Sequence, residues 1–73
     1  MKTLNDYTVV VAPNDGEFLA YIPAVRGCHA LAATPEDARR ELADVFEMFL
    51  DMWREYGETP PDDVSAELLL AVS

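Results

Sequence analysis

Apolar positions along the chain follow a sheet-like pattern in its first half and a helical one in its second. Residues 7–12, Tyr-Thr-Val-Val-Val-Ala, are β-branched and aromatic, which suits a strand. Pro13, Asn14, Asp15 and Gly16 follow as turn chemistry, with Gly16 able to take a positive φ without steric cost. Residues 17–22, Glu-Phe-Leu-Ala-Tyr-Ile, read as the returning strand of a hairpin, stopped by Pro23. After a connection over residues 23–27, residues 28–33 form a weaker strand candidate. Their alanines favour helix, and only the place between Gly27 and the next cap argues for a strand.

The helical half opens on Thr34-Pro35-Glu36-Asp37. Thr34 can cap the first turn, Pro35 loses nothing at the first helical position, and the two acids complement the positive end of the dipole. The helix is predicted to run to about Tyr56 and to stop at Gly57. Ala38, Leu42, Val45, Phe46, Phe49, Trp53 and Tyr56 recur at helical spacing and form its apolar face. Residues 59–63 are a stiff polar connector. Residues 64–72 are apolar, with local preference for helix and room for a strand.

The predicted class is therefore α+β, in the order β-β-β-α followed by a strand or a short helix. One helix covers one face of a sheet. Yet the second strand is apolar on both parities, with Phe18, Ala20 and Ile22 on one side and Leu19 and Tyr21 on the other, and the first strand carries valines on both. An uncovered apolar face marks an interface. Leu19 and Tyr21 are thus expected to meet another copy of the chain, in a dimer or tetramer, or a partner.

The chain of 73 residues reads as a single domain over 1–73. A domain this small buries only roughly 60% of its unfolded surface, a thin core that makes self-association reasonable. No apolar run reaches the roughly 18 residues of a membrane span, and residues 1–6 hold no apolar signal region. With a single cysteine as well, the expected location is the cytoplasm, away from membranes. Fourteen acids against five Lys and Arg give a net charge of -9. Such a chain repels phosphate backbones, so direct nucleic-acid binding is not expected, and it attracts basic surfaces.

Candidate chemistry is sparse. Cys28 and His29 are adjacent, so in a strand they point to opposite faces and cannot share an ion. Asp37, Glu41, Asp44, Asp51, Glu55 and Glu58 fall on one helix face at steps of four, three, seven, four and three. That stripe is a solvated face or a docking surface for a basic partner. Asp37, Glu41 and Asp44 also support the helix start or pair locally, as Arg40 can with Asp44. A convex face does not gather carboxylates around a metal as a two-metal phosphoryl site would. Phe46, Phe49 and Trp53 lie on the core face without interleaved basic residues, so they are not a base-stacking platform. Gly16, Gly27 and Gly57 are isolated and build no phosphate loop. The residues suggest a binding module, not an enzyme, with no cofactor.

Several short motifs occur together in a set order. A Tyr-led strand over residues 7–11 precedes Gly16-Glu17-Phe18-Leu19-Ala20-Tyr21-Ile22-Pro23, then Gly27-Cys28-His29-Ala30, then Thr34-Pro35-Glu36-Asp37-Ala38, then Gly57-Glu58-Thr59-Pro60. In order and spacing this resembles the HicB antitoxin family from about Asp6 to Pro61. Departures are Val25-Arg26-Gly27 where the family often has Leu-Pro-Gly, Ala32 where it often has Gly, and no DNA-binding domain in the sequence up to Ser73, which many members carry. The resemblance implies a partial RNase H-like fold, β-β-β-α-β, without a nuclease's catalytic carboxylates. On that pattern residues 64–72 would form a strand parallel to the first. It also implies a partner of the HicA toxin type, a small basic ribonuclease whose RNA surface and catalytic His the antitoxin masks. Asp37, Glu41, Asp44, Asp51 and Glu55 on the helix, with Leu19 and Tyr21 on the sheet, are the candidate partner-binding residues. The alternatives are a stand-alone HicB-like oligomeric regulatory or adaptor domain without a toxin, and a metal-dependent nuclease on the same scaffold. The second needs acids on the first strand, which has only Asp6 at its edge.

Overall fold

The computed structural model describes residues 3–63. Three strands, β1 (Val10–Asn14), β2 (Glu17–Tyr21) and β3 (His29–Ala32), pair antiparallel in the order β1-β2-β3, and one helix, α1 (Pro35–Glu55), follows. This is the α+β class and the β-β-β-α order expected from the sequence. The expected strand or helix over residues 64–72 lies outside the described residues.

The β1–β2 hairpin closes on only two residues. Asp15 (φ 51°) and Gly16 (φ 81°) both take positive φ, the geometry that matches the twist of a two-residue hairpin. Asn14 pairs with Glu17 directly beside it. Pro13 and Asn14, predicted as turn, are therefore the last residues of β1, and β1 begins at Val10, not Tyr7. Pro13 is tolerated because it sits opposite Phe18, one step beyond the pair that closes the turn. At such a position the missing N–H would point away from β2, the strand paired with β1 among the described residues.

The β2–β3 connection is two linked turns. Val25 donates its N–H to the carbonyl of Ile22 (3.0 Å), and Cys28 donates to that of Val25 (3.1 Å). Ile22 then donates to Cys28 (3.3 Å), closing the loop just past the regular ladder. Cys28 and Ala33, included in the predicted third strand, fall outside β3. The alanines of β3 adopt strand geometry despite their helix preference, because pairing with β2 decides the backbone and their small size suits the helix above. Ala30 lies opposite Ala20, which is fully buried.

Both ends of α1 form as the sequence dictates. The Thr34 side chain accepts from the backbone N–H of Asp37 (3.1 Å), and Pro35 occupies the first position. At the far end Gly57 (φ 71°) reverses the chain. The N–H of Glu58 donates to Trp53 (2.7 Å) and that of Gly57 to Arg54 (3.2 Å), which satisfies two terminal carbonyls.

The buried seam of α1 is Ala38, Leu42, Phe46, Leu50 and Trp53, with Val45 and Phe49 packed partly against it. Two positions differ from expectation. Leu50, not on the predicted face, is buried, because the seam advances by fours through Leu42 and Phe46 to it. Tyr56, predicted as core, is 70% exposed, because the helix ends at Glu55 and Gly57 turns the chain just after it. Phe46 stands at the centre. Its ring meets Tyr7 edge-on at 5.3 Å and Trp53 at 6.2 Å, and Trp53 continues to Phe49 at 5.7 Å. Beyond the helix, the Tyr7 hydroxyl donates to the Pro61 carbonyl. The Asp63 carboxylate accepts from the Thr8 hydroxyl (2.8 Å) and from its N–H (3.0 Å). These bonds bring the chain after α1 back beside the start of β1.

Candidate functional surfaces

The strand register sorts the sheet's side chains into two faces. Toward α1 stand the rows Val11–Ala20–Ala30 and Pro13–Phe18–Ala32. On the other face stand Val10–Tyr21–His29 and Ala12–Leu19–Leu31. Among the described residues nothing covers this second face. Leu19 and Tyr21 are half-buried by their neighbours alone, and Leu31 is 47% exposed. Among the described residues the doubly apolar second strand thus presents an open apolar face, as expected of it. An open groove of about 620 Å³ lies there, bordered by Leu19, Tyr21, Leu31, His29, Pro23 and Arg26. Leu31 and Arg26 are not among the residues that the sequence points to, and His29 is weighed there only beside Cys28. Period-two alternation in β3 held the signal for Leu31, but the weakness of the strand pattern hid it.

Cys28 and His29 separate as strand geometry requires: Cys28 is buried and His29 exposed. Burial pushes the Cys28 thiol above its ordinary value. It is a small core residue, not an activated nucleophile.

The acids of α1 occupy its solvent side. Glu41, Asp44, Asp51 and Glu55 are exposed, Asp37 is partly so, and Glu58 lies exposed just past the helix. Arg40 pairs with Asp37 (2.9 Å), not with Asp44 as expected, and Arg54 pairs with Asp51 (3.1 Å). Both pairs span three residues and are largely solvated, where such contacts contribute about 0–1 kcal/mol. Glu41, Asp44 and Glu55 make no ion pair among the described residues. Seven acids and three arginines leave α1 at a net charge of -4. No three His, Cys, Asp or Glu side chains converge on a common point among the described residues. No described helix is long and apolar enough to cross a membrane.

The two groups of candidate residues therefore do not form one site. Leu19 and Tyr21 lie on the open side of the sheet, and Asp37, Glu41, Asp44, Asp51 and Glu55 lie on the far side of the helix. The sheet separates them, and the chain presents two surfaces of opposite character, one apolar and one acidic.

No protein-family model and no solved structure matches the chain. It is similar to the UPF0150 protein ssr1765 of Synechocystis sp., 28% identical over 65 residues, which span 86% of this chain and 82% of that protein.

Proposed function

We propose that the chain is an antitoxin-like binding module that neutralises a small basic ribonuclease of the HicA type by masking its RNA-binding and catalytic surface. The observation that carries the reading is the solvent side of α1, where Glu41, Asp44 and Glu55 make no ion pair among the described residues and stand along a well-capped helix. A ribonuclease surface must be positive to hold RNA, and a surface of opposite sign competes for it and speeds the encounter. The HicB-like order of motifs supports the same reading. Masking needs no chemistry from this chain, so its residues act by position and charge.

The open sheet face favours a second reading, a HicB-like oligomeric regulatory or adaptor domain without a toxin. Leu19, Tyr21 and Leu31 would then meet another copy. Self-association through the sheet face is compatible with partner binding at the helix, because the surfaces lie on opposite sides.

Co-expression tests the first reading. A short basic open reading frame is expected beside this gene; its product should arrest growth when expressed alone, and the full chain should restore growth. Continued arrest with the chain present at comparable level would reject the antitoxin reading.

A further inference from the structure

A second apolar row runs along α1, outside the core seam. Met48 is 64% exposed, Met52 39% and Tyr56 70%, each one turn after the last. Val45 and Phe49, half-buried, lie at the base of this row. Together Val45, Met48, Phe49, Met52 and Tyr56 step by three, one, three and four. That is the spacing with which one helix presents a seam to another. Single exposed apolar residues are ordinary, but a continuous row on one flank is not accounted for by the core it borders. Methionine suits a contact surface, because its flexible thioether adapts to a partner's shape.

We propose that this row is a docking seam for a basic amphipathic helix of a partner protein. The proposal deepens the antitoxin reading by naming the surface and the chemistry of its occupant. A row that follows the helix axis is the surface on which a second helix packs lengthwise, and charge selects that helix's sign. Glu41, Asp44 and Glu55 line the solvent side of the row without ion pairs among the described residues. A partner helix seated on the methionines would place its flanking side chains against these carboxylates, where Lys and Arg are favoured and acids repelled. The same charges disfavour a second copy here. A two-fold contact brings each patch against itself, acid to acid, between chains of net charge -9.

The test uses the full chain labelled with nitrogen-15 and two synthetic helical peptides of about 18 residues, one of Leu and Lys and one of Leu and Glu. The Leu–Lys peptide should shift the amide signals of residues 44–57, and the Leu–Glu peptide should not bind. Replacing both methionines (M48A with M52A) should weaken binding of the Leu–Lys peptide at least tenfold. Alanine favours helix and both sites face solvent, so circular dichroism should be unchanged. M48Q with M52Q gives the same comparison with side-chain length retained. Shifts spread over all acids, with no dependence on the methionines, would overturn the seam and leave only general charge attraction. A wild-type dimer that the double variant converts to monomer would overturn it in favour of a second copy. Full neutralisation of the ribonuclease by M48A with M52A would overturn the seam and leave the antitoxin reading intact. Methionine-dependent peptide binding without any neutralisation would uphold the seam and reject that reading.

Discussion

On the helix side of β2 stand Phe18 and Ala20; on the open side stand Leu19 and Tyr21. The covered side is the one with the smaller residues at its centre, and the larger side chains on the open side remain partly in water. Apolar character alone therefore does not decide which face is buried. Ala20 and Ala30 let α1 approach closely, and the bulk that fills the space comes from the helix, through Leu42, Phe46 and Trp53. The open face offers bulk with nothing described above it, which is the arrangement of a surface that receives a neighbour.

Truncating the covered side has the largest expected effect. Phe46→Ala removes the ring shared by Tyr7 and Trp53 and should cost about 3–5 kcal/mol, read as a lower urea midpoint. A domain of this size has little stability to spare, so the variant should be largely unfolded at room temperature. Removing the cap that starts the helix is milder. Thr34→Ala leaves the Asp37 N–H without its partner and should cost about 1 kcal/mol by the same measurement.

The core thiol sharpens the contrast chemically. Because burial raises the Cys28 value in the folded state, its contribution is present below the ordinary 9.0 and is lost as pH rises through the folded value. Stability of the wild type should therefore fall on the alkaline side more than that of Cys28→Ala. Iodoacetamide should label Cys28 at neutral pH only as fast as the chain opens. The smallest stability effect is expected on the open face. Leu31→Ser should change the unfolding free energy, read by urea denaturation, by less than about 0.5 kcal/mol. If that face joins copies, the same variant should lower the mass seen by sedimentation equilibrium.

The hairpin, the helix with both its caps and, among the described residues, the open apolar face are legible in the sequence pattern. Each is set by local rules: Asp15-Gly16 for the turn, Thr34-Pro35 and Gly57 for the helix ends, and two-parity apolarity for β2. What escaped depends on register or on distance. Whether Pro13 lies in the strand is decided by which pair closes the turn, and Pro13-Asn14 reads as turn by composition. Tyr56 matches the helical period, but the chain reverses at Gly57 before it reaches the core. Arg40 stands within reach of Asp37 and of Asp44, and spacing does not say which it takes. Met48 and Met52 escaped because the core seam and the exposed row are adjacent on one helix, and the core residues dominate the period.

In the proposed function the acidic surface meets the ribonuclease, and the apolar face is left to meet another copy. The direct measurement is cleavage of a labelled RNA by the small basic ribonuclease that the proposed function requires as partner, titrated with the purified chain. One equivalent of wild type should reduce cleavage to background. The variant with Asp44→Asn, Asp51→Asn and Glu55→Gln should associate more slowly and with a flatter dependence on salt. Cleavage that persists at a large excess of wild-type chain would contradict the account.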